Sequence, residues 1–131
     1  MISVDRLAAN RANARRSTGP KTRDGKASAA RNARRHGLEL TALRDPTLSG
    51  EIEALAREIA GADAGAQRHA AACRIAAAQI DLVRVRRARR DLIAETPDDP
   101  ELPARLAAID RYERRALSRR KFAIRDFDAA R

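Results

Sequence analysis

The sequence has one cysteine, Cys73, no tryptophan, and Tyr112, Phe122 and Phe127 as its only aromatic residues. A single thiol excludes an internal disulfide and leaves no cysteine cluster for zinc. So few aromatics argue against recognition of single strands by base stacking. The histidines, His36 and His69, lie far apart, with no carboxylate or thiol spacing that matches a metal site. No metal ligand and no cofactor are therefore expected. No run of 18 apolar residues is present, and "MISVDRLAANRANARR" turns polar too early for a signal-peptide core. The expectation is a soluble, cytoplasmic protein without membrane contact. No Ser-His-Asp or two-carboxylate constellation stands out, so catalysis is not expected either.

Glycine is also scarce, and its placement excludes one attractive idea. The stretch "RRSTGPKTRDGKASAARNARRHGL" (15–38) gathers glycine, lysine and hydroxyl residues as a phosphate-binding loop does. Such a loop needs four residues between its glycines, then Lys followed by Ser or Thr, after a strand. Gly19 and Gly25 are separated by five residues, Ala27 follows Lys26, and no apolar run precedes them. The spacing fails.

What is abundant is positive charge, and it is concentrated. Residues 1–37 hold ten Arg and Lys against Asp5 and Asp24, a net of +8, whereas 38–131 hold eighteen basic and sixteen acidic side chains, a net of +2. The large apolar side chains before Leu38 are only Met1, Ile2, Val4 and Leu7. A segment so poor in apolar surface cannot offset its own ordering entropy. Localised positive charge favours polyanions, because each neutralised phosphate releases condensed counterions.

The expected architecture is all-α: a basic arm over 1–38, then a helical-hairpin scaffold over 39–131. Ser3 caps a helix running to about Arg16, and "STGP" breaks it. Thr22 or Asp24 caps a second short helix, "GKASAARNARR", that Gly37 ends. Neither helix has an apolar stripe, which weakens any likeness to a helix-turn-helix. Ile52, Leu55, Ala56 and Ile59 space a short amphipathic helix over 49–61. Long helices follow over 66–95 and 100–129, each roughly 45 Å at 1.5 Å per residue. "TPDDPE" joins them, with Asp99 as N-cap and Pro100 at the first helical position, so they pair antiparallel.

The facing stripes read as Ala72, Ile75, Ala76, Gln79, Val83 and Arg86 or Arg87 on the first long helix. On the second they read as Leu102, Leu106, Ile109, Glu113, Leu117, Arg120, Ile124 and Phe127. Folding about residues 97 and 98 sets Glu113 one turn from Arg86, its expected ion-pair partner, with Arg87 the alternative. The stripes are thin, so a second chain or the 49–61 helix is expected to complete them.

"NRANARRSTGPKTRDGKASAARNARRHGL" (10–38) resembles a motif of small basic bacterial proteins of unknown function, N-x-x-x-S-T-G-P-x-T-x-x-G-K-x-x-S-x-x-N-A-x-x-H-G-L followed by long helices. "RYERRALSRRKFAIRDF" is similar to a stretch near their C-termini at Arg111, Tyr112, Glu113 and Arg119, with Leu117 one place late. "CRIAAAQIDLVRVRRARR" is similar to their arginine-rich helix. The resemblance implies long helices after the motif and names no activity.

The residues themselves point to a non-enzymatic DNA- or RNA-binding arm, set within a larger nucleoprotein machine. Arg15, Arg16, Lys21, Arg23, Lys26, Arg31, Arg34 and Arg35 would reach phosphates, and Ser17, Thr18, Thr22 and Ser28 would add hydrogen bonds. Asn10, Asn13 and Asn32 are the side chains able to read base edges. His36 completes the set as a helix C-terminal group. The bland alternative is a solvated basic tail. The run 84–90 and Arg114, Arg115, Arg119, Arg120 and Lys121 either extend that footprint or simply solvate helix faces. Cys73 reads as a small core residue. The competing functional class is an assembly module whose hairpin docks a protein partner or a second copy.

Overall fold

A computed structural model describes residues 3–16, 23 and 37–130, all of them helix, turn or irregular chain without a strand. The chain divides into two units, Met1–Arg35 and His36–Arg131. In the first, helix α1 covers Val4–Arg16. Ser3 caps it as expected: its Oγ accepts from the Arg6 N–H at 3.2 Å and its carbonyl from the Leu7 N–H at 3.1 Å. Asp5 in the first turn complements the positive helix end. Residues 4–13 of this helix are exposed throughout. The "STGP" break and the second short helix expected over 25–35 lie outside the described residues.

The second unit opens with two 3₁₀ turns, Ala42–Arg44 and Pro46–Leu48, then α2 (Ser49–Ala60), α3 (Ala66–Glu95) and α4 (Leu102–Ala129). The 3₁₀ turns were not legible, since three residues carry no periodicity. Asp45 holds the second one, accepting from the Thr47 N–H at 2.9 Å and the Thr47 hydroxyl at 2.6 Å. Gly61 ends α2 with φ +87°, a conformation L side chains rarely adopt, and its N–H returns to the Arg57 carbonyl at 2.8 Å. Helix α4 starts two residues later than the sequence suggests. Asp99 caps a separate turn first, accepting from the Glu101 N–H and from Arg105 Nη1, both at 2.9 Å, and Pro103 then sits in the first helical turn. No helix among the described residues is long and apolar enough to cross a membrane.

Helix α3 is the central element, covered on two sides. Ile52 and Ala56 of α2 join Ala72, Ala76, Ala77 and Ile80 in one buried cluster, with Leu55 and Ile59 at its margin. Val85, Ala88 and Leu92 form a second cluster with Ile109 of α4 and with Leu38. Leu82 and Leu92 are wholly buried, each stabilising the fold by about 1.5–3 kcal/mol relative to exposure. Helix α2 therefore supplies cover that a bare hairpin lacks. At the open end, Arg68 of α3 donates to the carbonyls of Phe127 (3.4 Å) and Ala130 (3.3 Å) and stacks over the Phe127 ring at 3.8 Å. A cation thus satisfies orphan carbonyls at the end of α4.

The seam on α4 differs from the expected stripe. Ile109, Ala116 and Ala123 are buried at seven-residue spacing, while Leu117 and Ile124 point outward and are exposed. On α3, Val83 is likewise exposed, and Val85 takes the buried place. Small side chains at the contact let two helix backbones approach closely, so the narrow alanine row wins over the larger residues beside it. The register differs as well. The pairs Arg74–Asp126, Gln79–Arg120, Asp81–Arg119 and Arg89–Glu113 are symmetric about Pro100 and its neighbours, beyond residues 97 and 98. The turn capped by Asp99 moves the fold point towards the C-terminus.

Candidate functional site

The end of the basic motif is built into the second unit. Gly37 has φ +61°, a left-handed conformation that favours glycine. Leu38 then plugs the cluster formed by Val85, Ala88, Leu92 and Ile109. Asp81, buried on α3, accepts from the Ala42 N–H at 3.0 Å, from Arg84 Nη1 at 2.9 Å and from Arg119 Nη2 at 3.2 Å. Arg84 also donates to the Leu40 carbonyl at 2.9 Å and to the Gly37 carbonyl. One carboxylate and one guanidinium therefore clasp residues 37–42 onto α3. Sequence reasoning missed Asp81 because a single acid among the largely apolar residues 75–85 gives no periodic signal. Its spacing of three from Arg84 was the available hint.

Several hairpin arginines have partners within the fold. Of the run 84–90, Arg84 holds the clasp, and Arg89 donates to Asp110 Oδ1 at 2.7 Å and Glu113 Oε2 at 2.6 Å. Arg86 lies 3.7 Å from Glu113 Oε1. The expected Arg86–Glu113 pair is thus present as the longer contact, and Arg89, which the sequence reading passed over, makes the closer one. Arg119 binds Asp81, and Arg120 donates to Gln79 Oε1 at 2.8 Å. Arg115 rests on the Tyr112 ring at 5.9 Å. Exposed Arg87, Arg90, Arg111, Arg114 and Lys121 make no hydrogen bond or ion pair with the described residues. The hairpin spends most of its inward cations on its own fold and keeps these on its surface.

A second cluster joins α2 to α3. His69 Nε2 lies 3.1 Å from Glu53 Oε2, Cys73 Sγ lies 3.6 Å from the same nitrogen, and the thiol is 3.9 Å from Glu53 Oε2. His69 and Cys73 are four apart and so share one face of α3. The hydrogen bond from His69 holds the Glu53 carboxyl below its ordinary value, aided by His69 and Arg57 charge. Burial, then the Glu53 charge, pushes the Cys73 thiol up. Cys73 is half-buried against the first apolar cluster, so it does pack as a small residue while facing this polar pair. The cluster corrects the expectation that no carboxylate or thiol is spaced to share a metal with a histidine. Comparing His69 with Cys73 would have revealed two thirds of it, and Glu53 only tertiary structure supplies.

Of the residues expected to bind nucleic acid, Asn10 and Asn13 are exposed on α1, Arg15 and Arg16 lie in its last turn, and Arg23 is exposed. Ser17, Thr18, Lys21, Thr22, Lys26, Ser28, Arg31, Asn32, Arg34, Arg35 and His36 lie outside the described residues. Compared with models of protein families, with curated proteins and with solved structures, the chain matches none.

Proposed function

We propose that this is a non-enzymatic nucleic-acid-binding protein whose basic segment, 1–37, contacts the phosphates of DNA or RNA while the α2–α4 unit serves as its scaffold. The observation that carries the reading is the split of charge: +8 on 1–37 against +2 on the rest. It is strengthened by how the scaffold uses its arginines. Arg84, Arg89 and Arg119 are neutralised by Asp81, Asp110 and Glu113, whereas 1–37 has only two acids for ten cations. A segment with ten cations and two acids carries the excess charge that a polyanion neutralises, with about one released counterion per phosphate. The likeness of 10–38 to the basic bacterial family fits this reading and adds no activity to it.

The experiment compares two quadruple variants of the full chain. Changing Lys26, Arg31, Arg34 and Arg35 to Ala should flatten the salt dependence of binding to duplex DNA or structured RNA, by roughly one unit of slope per lost phosphate contact. Changing Arg87, Arg90, Arg111 and Arg114 to Ala should leave the slope nearly unchanged. The reverse result moves the contact to the hairpin.

An assembly module is the second reading, favoured by one groove. Leu43 and Phe122, each 56% exposed, line an open groove of about 580 Å³ together with Ala77, Ala78 and Ala123, with Arg44 and Arg119 beside them. Apolar side chains with Arg44 at the rim suit an amphipathic helix that carries an acid. Phe122→Ser should then abolish capture of such a peptide and leave nucleic-acid binding intact.

A further inference from the structure

We propose that Glu53, His69 and Cys73 form a divalent transition-metal site of the zinc class, which ties α2 to α3 and leaves a fourth position open to solvent. The donor atoms Oε2, Nε2 and Sγ all lie within 4.8 Å of one another. Their separations are 3.1 Å (N to O), 3.6 Å (N to S) and 3.9 Å (S to O). Bond lengths of about 2.0–2.1 Å to nitrogen or oxygen and about 2.3 Å to sulfur, at tetrahedral angles, set ligand atoms roughly 3.3–3.6 Å apart. The triangle already has the dimensions of one face of a zinc tetrahedron, to within a few tenths of an ångström. Shifts of ordinary side-chain size would close the remainder.

A cysteine–histidine–carboxylate set invites a nucleophilic reading instead, and the geometry speaks against it. In a catalytic relay the acid orients one ring nitrogen while the other meets the nucleophile. Here the thiol and the carboxylate both converge on Nε2. Three donor atoms of different elements gathered this closely suit a coordination site better than a relay. The mixed N, S, O set suits zinc or cobalt, and the single thiolate and imidazole disfavour magnesium or calcium.

The surroundings fit an ion held between two helices. Arg57 Nε donates to Glu53 Oε1 at 3.2 Å, which fixes the carboxylate and leaves Oε2 directed at His69. Such support from outside the ligand shell is what orients metal-binding carboxylates. The side chains of His69 and Glu53 are 31% and 43% exposed, so an ion has a path in and a water can fill the fourth position. The α2–α3 contact otherwise rests on Ile52 and Ala56, with Leu55 and Ile59 at the margin, against Ile80 and a row of alanines, across the Gly61–Gly65 connection. A metal bridge there would add to folding directly, because ligands gathered from two helices are not gathered in the unfolded chain.

The test uses the full chain, stripped of metal with a chelator, and Co²⁺ as the spectroscopic probe. One equivalent of Co²⁺ should give thiolate-to-cobalt absorption in the near ultraviolet, which Zn²⁺ then displaces. Cys73→Ser should abolish that band. His69→Ala and Glu53→Gln should weaken Co²⁺ binding by at least about 10-fold. Zn²⁺ at a hundredfold excess over Kd should raise Tm by roughly 10 °C, and Mg²⁺ should not. Absence of the band in the wild-type chain overturns the proposal without reference to any variant. So does a band that survives Cys73→Ser, or a Tm that Zn²⁺ leaves in place.

Discussion

Arg89 Nη2 lies 2.6 Å from Glu113 Oε2 and 2.7 Å from Asp110 Oδ1, so one guanidinium of α3 closes on two carboxylates of α4. The Arg89 and Glu113 side chains are 27% and 23% exposed. That places the pair between surface ion pairs, worth under about 1 kcal/mol, and fully buried ones, whose breakage costs about 3–5 kcal/mol. Glu113→Gln is therefore expected to cost about 1–2 kcal/mol in chemical unfolding. Arg86→Met, removing the 3.7 Å contact of a more exposed arginine, should cost well under about 1 kcal/mol. The double-mutant cycle with Arg89→Met decides the matter. Strong coupling of Glu113 to Arg89 and weak coupling to Arg86 is the expected outcome, and equal couplings would contradict the register.

The same pair predicts a pH dependence. The Arg89 hydrogen bond, with Arg89 and Arg86 charge behind it, holds the Glu113 carboxyl below its ordinary 4.5. A carboxyl depressed in the folded state contributes stability that is fully present above its unfolded value and is lost as pH falls through the folded one. The stability gap between wild type and Glu113→Gln should thus be constant near neutrality and narrow below pH 4.5. Unfolding curves at stepped pH measure it. A gap that persists unchanged into strong acid would show that the loss is steric.

Much of this architecture is legible in the sequence, and the misses share a cause. Ser3, Gly61 and the Thr96–Glu101 connection declare helix ends through local chemistry, which is why α1, α2 and α3 fall where spacing puts them. The seam was misjudged at Leu117 and Ile124 because a larger apolar side chain carries more transfer energy than Ala116 or Ala123. Close approach of two alanine-rich helices reverses that order, and single-residue hydrophobicity contains no information about approach. Asp81, Arg84 and Glu53 act between elements 16 to 47 residues apart, so beyond the i, i+3 spacing of Asp81 and Arg84 nothing local announces them.

The alanine seam itself can be tested by opposite substitutions at neighbouring sites. Ala116 is fully buried and Leu117 is 37% exposed. Ala116→Leu should force the helices apart and cost about 1–3 kcal/mol. Leu117→Ala should cost under about 1 kcal/mol, since much of that side chain is already in water. Thermal unfolding of the two variants separates the registers directly. A larger loss at Leu117 would restore the stripe that the sequence pattern suggests.

The clasp that fixes residues 37–42 to α3 centres on one carboxylate. Asp81 is 7% exposed and accepts from Ala42, Arg84 and Arg119 at once. Asp81→Ala leaves the Ala42 N–H without its acceptor and removes one of three acceptors from Arg84, which keeps the Leu40 and Gly37 carbonyls, a loss of about 1–3 kcal/mol for an unsatisfied buried donor. Leu38→Ala removes the plug from the Val85–Leu92–Ile109 cluster at a cost of about 2–4 kcal/mol. The two changes act on one short segment, so their effects should be less than additive. Amide hydrogen exchange provides the local readout. Protection at Ala42, Arg44 and Asp45 should fall in both variants, while the α3–α4 seam around Ala116 and Ala123 keeps its own. If protection instead fell uniformly along α4, the segment would be an integral part of the core and no separable clasp. Should Asp81→Ala leave Ala42 protected, the carboxylate would serve Arg84 and Arg119 alone, and Leu38 would hold the segment unaided.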